Sequence, residues 1–193
     1  GENSRWYSGS GIYRHVWLKL LDPVHVAQWG TAITSSEINA NSAKVNISLK
    51  VNNQSKSTLN VKVVSLIINT NGVVSGKKES EQTILSEGVT GYNQELIVTN
   101  PKLWDIESPN LYNAINEVFV NGEMVDRIET KFGIRTIQFD VVNGFQLNGK
   151  SLKLKGGCFH HDHGPLGTKS FDRAEERRVE LLKASGFNAI RCT

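Results

Sequence analysis

The stretch KVNISLKV, Lys44–Val51, decides the fold of the largest part of this chain. Its apolar residues, Val45, Ile47, Leu49 and Val51, alternate with polar or charged ones. Because successive side chains of a strand point to opposite faces, this period of two puts four apolar side chains on one face of a β-strand. Such a face needs a second sheet to cover it, so the stretch predicts a domain of two packed sheets.

Segments of the same kind run from about Val24 to Phe132 and are separated by clusters of Asn, Gly and Ser. The run VKVVSLIIN at Val61–Asn69 is apolar on both faces, which indicates a central strand. The other predicted strands are Val24–Thr34, Val73–Glu79, Tyr92–Val98, Leu111–Val120 and Val125–Phe132. About seven strands over roughly 110 residues predict an immunoglobulin-like β-sandwich. Both cysteines lie later in the chain, so we expect apolar packing alone to hold the sandwich together.

The pattern changes after Phe132. The segment QLNGKSLKLKGG predicts a hairpin with its turn at Asn148–Gly149, followed by a strand at Leu152–Lys155. The segment FDRAEERRVELLKASGFNAIRCT predicts a helix and then a strand at Asn188–Cys192. These elements together predict a truncated βαβ unit.

Both ends of this helix are signalled in the sequence. Asp172 is the predicted N-cap, and Glu175 lies three residues later, as in a capping box. Gly186 follows the last predicted turn, where glycine is the preferred residue.

A single βαβ unit does not bury its own strands, because a parallel sheet needs covering helices and neighbouring strands. The N-terminal segment, Ser4–Asp22, has the composition of a strand but precedes the sandwich without a partner. We therefore expect a fragment with one whole domain at residues 23–137 and parts of two others at 1–22 and 138–193.

Composition narrows the class of function. The chain is 38% hydrophobic and 21% charged, and no apolar run approaches the roughly 20 residues that span a bilayer, so we expect no membrane partner. The net charge is +3 with basic and acidic residues interspersed, which predicts no nucleic-acid partner. The compartment is not assigned by the sequence.

The stretch LKLKGGCFHHDHGPLG, Leu152–Gly167, carries a cluster of three histidines and an aspartate after the predicted strand. Because consecutive residues of an extended chain point to opposite sides, at most an alternating pair such as His161 and His163 could bind one ion. A histidine-based metal site, a solvated polar loop and a functional loop all remain open from these residues alone.

Five motifs occur in an order that resembles glycoside hydrolase family 2, the family of the large β-galactosidases, β-glucuronidases and β-mannosidases. They are GSGIYRHVWL (Gly9–Leu18), LWDIESPNLY (Leu103–Tyr112), FGIRTIQFD (Phe132–Asp140), LKGGCFHHDHGPLG (Leu154–Gly167) and GFNAIRCT (Gly186–Thr193). The resemblance implies the end of a jelly-roll sugar-binding domain at 1–22, the immunoglobulin-like domain at 23–137 and the N-terminal part of a (β/α)8 catalytic barrel at 138–193.

The resemblance also implies a retaining exo-acting parent enzyme, with β-galactosidase as the first expectation. The alternatives are a β-glucuronidase or β-mannosidase parent, or a non-catalytic carbohydrate-binding or adhesion module. By the resemblance, His161 lines the sugar pocket, Asp162 stands where galactosidases often carry glutamate, and Arg191 holds the nucleophile carboxylate. The two catalytic glutamates are expected beyond Thr193, so no catalytic residue is predicted in this chain.

The expected partner is a β-glycoside substrate, with no cofactor or metal in the fragment. Apolar faces that the remaining parts of a barrel would cover are expected to be exposed, so we also expect either self-association through these faces or a poorly ordered C-terminal βαβ segment.

Overall fold

The computed structural model describes residues 11–12, 14–160 and 163–192. Contacts divide the chain into two units, residues 20–151 and residues 1–19 together with 152–193. The assignment of 1–22, 23–137 and 138–193 to three domains stays a prediction. The predicted N-terminal strand falls partly outside the described residues, and residues 14–22 of its described part are not in a strand.

The first unit is built around a sandwich of seven strands. They are β1 (Val24–Ser36), β2 (Ser42–Asn53), β3 (Leu59–Ile68), β4 (Val74–Ile84), β5 (Gly88–Thr99), β6 (Tyr112–Val120) and β7 (Glu123–Phe132). One sheet has the order β1-β2-β5 and the other the order β4-β3-β6-β7. The predicted immunoglobulin-like sandwich is confirmed, with β4 joined to β3 rather than to the sheet of β5, unlike the constant-type immunoglobulin arrangement.

The core lies between the inner faces of these two sheets. Val45, Ile47, Leu49 and Val51 of β2 are each at most 1% exposed, so the alternation in the sequence marks the core face. The central strand β3 is buried on both faces, since Val63 and Val64 are neighbours in sequence and are both buried. Period-two alternation therefore identifies the core face of β2, and the run apolar on both faces identifies β3 as a central strand.

The expectation that apolar packing alone holds the sandwich is wrong. The hydroxyl of Tyr92 on β5 donates a 2.8 Å hydrogen bond to the Val61 carbonyl of β3, and the Gln94 amide donates to the Val63 carbonyl at 3.2 Å. These bonds join the two sheets through the core. Burial raises the pKa of Tyr92 to about 12, because the phenolate would be desolvated there.

The motif LWDIESPNLY closes one end of the sandwich. The Tyr112 hydroxyl accepts a 2.8 Å hydrogen bond from the Lys102 amide, which is the arrangement of a tyrosine corner. The Trp104 amide donates to the Ile134 carbonyl at 2.8 Å. Gly133 lies against Trp104 so closely that a Cβ there would be 2.7 Å from the Trp104 Cβ, which explains the glycine in FGIR.

The unit ends with a small sheet of β8 (Ile137–Asp140), β9 (Gly144–Leu147) and β10 (Lys150–Ser151). Leu147 pairs with Lys150 across a two-residue turn in which Asn148 and Gly149 have φ of 51° and 74°. Positive φ at both positions is typical of a type I′ turn, so the predicted Asn-Gly hairpin is confirmed.

The second unit contains β11 (Gly156–Phe159), α1 (Asp172–Ala184) and β12 (Ala189–Cys192). Strands β11 and β12 pair in parallel, which confirms the predicted strand–helix–strand order. The barrel to which the unit would belong stays a prediction.

The strand predicted at Leu152–Lys155 is wrong, because the strand begins at Gly156. The side chain of Asn188 accepts a hydrogen bond from the Lys155 amide at 2.8 Å and donates to the Lys153 carbonyl at 3.1 Å. A side chain thus takes the place of a ladder partner before the parallel pairing starts.

The predicted capping box is also wrong. Asp172 is the first residue of α1, the N-cap is Phe171, and no side chain caps the helix there. The Asp172 carboxylate instead pairs with His15 Nε2 at 2.9 Å. The predicted C-terminal glycine is confirmed, since Gly186 has φ of 84° and its amide donates to the Lys183 carbonyl.

Candidate functional site

Of the three residues predicted to contact substrate, the structure describes Arg191 alone. His161 and Asp162 are outside the described residues, so their roles stay predictions. Arg191 is an exposed residue of β12 and lies opposite Cys158 of β11 in the parallel register. Within the described part of the chain, no carboxylate pairs with Arg191, so its guanidinium is not used in a surface ion pair there.

The loop that follows β11 is held against α1 by two side chains of the helix. The Arg178 guanidinium stacks on the Phe159 ring at 3.8 Å and donates through Nη2 to the His160 carbonyl at 2.9 Å. Glu175 lies one turn earlier on the same helix, and its Oε1 is 2.7 Å from His163 Nε2. We call these contacts of Glu175 and Arg178 with Phe159, His160 and His163 the loop clamp.

The chemistry of the loop clamp fixes the role of the His163 ring. Its Nε2 lies 2.7 Å from Glu175 Oε1 and 3.3 Å from Arg178 Nη1. A carboxylate only accepts and a guanidinium only donates, so one Nε2 atom cannot serve both. The shorter contact assigns the proton to Nε2, from which it is donated to Glu175, and leaves Arg178 to interact with the carboxylate at 3.4 Å.

The charges of the loop clamp are partly shielded from solvent. The side chains of His163, Glu175 and Arg178 are 5%, 26% and 25% exposed. Burial by itself would raise the pKa of Glu175, but the hydrogen bonds from His163 and Ser170 and the charge of Arg178 outweigh it and lower the pKa. The carboxylate therefore stays ionised and keeps its acceptor role at neutral pH.

Sequence reasoning misses the loop clamp. The sequence pattern places Glu175 in a capping box and gives Arg178 no role. The spacing of Glu175 and Arg178 is that of an ordinary helical ion pair, and only their contacts with the loop distinguish them. A histidine cluster followed by an amphipathic helix carries a weak signal of such contacts.

The described part of the chain contains no set of ligands for the histidine-based metal site that the sequence left open. No three His, Cys, Asp or Glu side chains come together there in a way that could hold an ion. His163, one of the two candidate ligands, is hydrogen-bonded to Glu175. Among the same residues, no helix is long and apolar enough to cross a membrane.

An antiparallel sandwich followed by a parallel strand–helix–strand unit defines a modular protein that combines an all-β domain with α/β structure. The chain belongs to the glycosyl hydrolases family 2, whose model matches residues 24–135, more than half of its length. The matched residues are those of the sandwich.

Similar proteins match nearly the whole chain. The β-galactosidase BoGH2A from Bacteroides ovatus is 42% identical over 193 residues, which are 99% of this chain and 22% of that protein. A β-glucuronidase from Bacteroides fragilis is 30% identical over 188 residues, 94% of this chain and 27% of that protein. The crystal structure of a family 2 member from Bacteroides cellulosilyticus superposes with a TM-score of 0.94 at 46% identity, covering 100% of this chain and 27% of that one. The chain thus spans about a quarter of the length of these relatives.

Proposed function

We propose that this chain is part of a retaining, exo-acting β-glycoside hydrolase, with a terminal β-galactoside as its substrate. The observation that carries the proposal is the 42% identity with a β-galactosidase over a stretch that includes both the sandwich and the strand–helix–strand unit. The assignment of galactose as the sugar rests on that relative. The assignment to the glycoside hydrolases as a class is supported by the family match.

In this proposal the two units have different tasks. The loop between β11 and α1 leaves the carboxyl end of β11, and Arg191 lies near the carboxyl end of β12. Reactive residues of a (β/α)8 barrel are found at the carboxyl ends of its strands. The loop would therefore supply sugar contacts through His161 and Asp162, and the sandwich would serve as a brace in the intact enzyme.

The catalytic carboxyl groups would come from later barrel strands, beyond Thr193. Retaining glycosidases need two carboxyl groups about 5 to 5.5 Å apart, one as acid and base and one as nucleophile. Arg191 would hold the nucleophile by a forked, charge-assisted hydrogen bond and keep it ionised. The absence of an ion pair between Arg191 and any other described residue is consistent with a guanidinium that has a partner elsewhere.

The test uses the full-length enzyme with aryl β-galactoside, β-glucuronide and β-mannoside substrates. We expect kcat/KM for the galactoside to exceed the others by at least about tenfold, or roughly 1.4 kcal/mol of differential transition-state binding. Proton NMR of the first-formed sugar should show the β-anomer, as retention requires. Preference for the glucuronide would replace the galactoside assignment, and no hydrolysis of any β-glycoside would refute the class.

Arg191 is tested by substitution in the same enzyme. Arg191→Lys keeps the charge and loses the fork, so we expect kcat to fall by about 10²-fold or more. Arg177→Met on α1 is the matched control, since Arg177 is an exposed arginine of the same unit. Equal kcat values for the two variants would contradict the proposed contact between Arg191 and the nucleophile.

A β-glucuronidase is the second candidate, favoured by the B. fragilis relative at 30% identity. A carbohydrate-binding module finds less support in the sandwich. A depression of about 310 Å³ on the β1-β2-β5 sheet is lined by short polar and aliphatic side chains with no aromatic ring. Within the described residues 24–132, Trp29 alone is an exposed aromatic side chain, and stacking on sugars requires such rings.

A further inference from the structure

We propose that Asn188 is a positioning residue for Arg191, because its side chain anchors the start of the parallel ladder that carries Arg191. This inference rests on the proposed function, in which the guanidinium of Arg191 holds the nucleophile carboxylate. Asn188 is not proposed to touch substrate. Its effect reaches Arg191 through the backbone of β12.

The first step of the argument is the set of bonds that Asn188 makes to the chain before β11. Its side chain accepts from the Lys155 amide at 2.8 Å and donates to the Lys153 carbonyl at 3.1 Å. Its backbone amide donates to the Lys155 carbonyl at 2.9 Å, and the Ala189 amide donates to the same carbonyl at 3.2 Å. Asn188 thus bonds to both backbone groups of Lys155 and to the carbonyl two residues earlier, directly before the ladder begins.

The second step is the shortness of the ladder after this point. Strands β11 and β12 pair over four residues each, from Gly156 opposite Ala189 to Phe159 opposite Cys192. Two of the four residues of β11 are glycines, which have no side chain to pack, so the pairing depends strongly on what holds its ends. A Cβ on Gly156 would lie 2.1 Å from the Ala189 carbonyl oxygen, so the strands approach closely at the end that Asn188 holds.

The third step is the side of the sheet on which Arg191 lies. The Phe159 ring of β11 contacts the Arg178 guanidinium of α1, with 3.8 Å between the guanidinium and the ring centroid. Phe159 lies opposite Cys192, and successive side chains of a strand alternate, so Arg191 lies on the face away from this contact. In a (β/α)8 barrel the face away from the helices is the interior, and catalytic residues come from the carboxyl ends of the strands. The ladder anchored by Asn188 therefore presents Arg191 on the face that the proposed contact with the nucleophile requires.

The experiment compares kcat per active site of Asn188→Ala and Asn110→Ala in the full-length enzyme. Asn110 is the matched control, since its side chain also bonds two backbone groups, the Leu103 and Ser108 carbonyls at 2.9 and 3.3 Å, but in the other unit. Asn188→Ala should lower kcat by about 10²-fold, as expected for a displacement of about 1 Å in a group at the reacting centre. Its KM should stay within about threefold of the wild type, since Arg191 is proposed to act on the nucleophile and not on the sugar. Asn110→Ala should keep kcat within about twofold, and equal kcat values for the two variants would overturn the inference.

A double variant distinguishes positioning of Arg191 from a general loss of structure. Asn188→Ala and Arg191→Lys are each expected to lose about 10²-fold in kcat, and independent effects would multiply to about 10⁴-fold. If Asn188 acts through Arg191, the double variant should lose less than about 10³-fold, because the second change removes a contact that the first has already weakened. A loss of about 10³-fold or more would overturn the inference.

A conservative variant and a count of active sites complete the kinetic test. Asn188→Asp keeps the acceptor for the Lys155 amide and loses the donor to the Lys153 carbonyl, so it should recover part of kcat. Active-site titration counts the folded molecules. Fewer active sites with unchanged kcat per site in Asn188→Ala would overturn the inference and leave a purely structural role.

Hydrogen exchange supplies a readout that does not depend on activity. Amides of β12 should exchange at least about tenfold faster in Asn188→Ala than in Asn110→Ala, and equal exchange would refute the anchor itself. An active enzyme in which Arg191→Lys keeps the wild-type kcat would overturn this inference and leave the class of enzyme intact. A wild-type enzyme that cleaves no β-glycoside would refute the proposed function and the part of this inference that concerns Arg191. In that case the exchange comparison still decides whether Asn188 anchors β12.

Discussion

Gly156→Ala is expected to break the parallel pairing on which the second unit depends. A Cβ at this position would lie 2.1 Å from the Ala189 carbonyl oxygen and 2.7 Å from its carbonyl carbon. Carbon atoms in favourable contact are about 3.5 to 4.0 Å apart, so the strands would have to separate by roughly 1 Å or more. The obstacle is backbone, and no rotamer change relieves it.

The size of the expected loss of stability in Gly156→Ala follows from that geometry. Overpacking typically destabilises by about 1 to 3 kcal/mol, and a clash with backbone belongs at the upper end, so we expect about 3 kcal/mol. Gly157→Ala is the matched control, because no atom of the described residues, its chain neighbours apart, lies within 4 Å of the Cβ it would add. That neighbouring substitution should change stability by less than about 0.5 kcal/mol.

Amide exchange in β12 measures the difference. A loss of about 3 kcal/mol in local stability corresponds to exchange faster by roughly 10²-fold, since each 1.4 kcal/mol is a factor of ten. Sandwich amides of β2 and β3 should exchange at wild-type rates in both variants, because residues 20–151 form the other unit. Identical β12 exchange in Gly156→Ala and Gly157→Ala would refute the close approach of the two strands.

Three further outcomes are expected. Ile47→Ala removes a core side chain that is 1% exposed and should lower the free energy of unfolding of the sandwich by about 2 to 5 kcal/mol, measured by urea denaturation. Tyr92→Phe should abolish an ultraviolet-detected ionisation near pH 12; because the folded pKa is raised, the contribution of Tyr92 to stability is complete below about pH 10 and is lost as the pH rises toward 12. Glu175 has a lowered pKa, so it stabilises the second unit above its unfolded pKa, and that contribution is lost as the pH falls through the folded pKa. Glu175→Gln should remove this acid-dependent part of loop exchange, and an unchanged acid dependence would contradict it.

The sandwich could be predicted from the sequence because the residues that determine its strand faces and its turns are neighbours in sequence. The alternation at Val45 to Val51 determines which face of β2 is buried, and the Asn148–Gly149 pair determines a turn type, without reference to distant residues. The hydrogen bond from Tyr92 to the Val61 carbonyl could not be predicted in this way. It depends on how two sheets are placed, and its residues are 31 positions apart.

The two wrong predictions in the second unit, the strand and the capping box, also result from contacts between residues that are distant in sequence. The alternating segment Leu152–Lys155 stays outside the strand because the side chain of Asn188, 33 residues later, accepts the hydrogen bond of the Lys155 amide. Asp172 and Glu175 have the spacing of a capping box, yet their carboxylates pair with His15 and His163. Partners from distant parts of the chain outweigh local propensity, and the candidate site was predictable only as a loop and not as a set of contacts.

The interactions of Trp104 tie the segment after β7 to the motif LWDIESPNLY of the sandwich. The Asn148 side chain donates to the Trp104 carbonyl at 3.0 Å and accepts from the Thr136 amide at 3.0 Å. The Trp104 amide donates in turn to the Ile134 carbonyl, and the Arg135 guanidinium lies over the Trp104 ring at 5.0 Å. Residues 134–136, which follow β7, are therefore held by Trp104 and Asn148 before the hairpin of β8 and β9 begins. The motifs LWDIESPNLY and FGIR thus fix the path of the chain out of the sandwich by packing and hydrogen bonding.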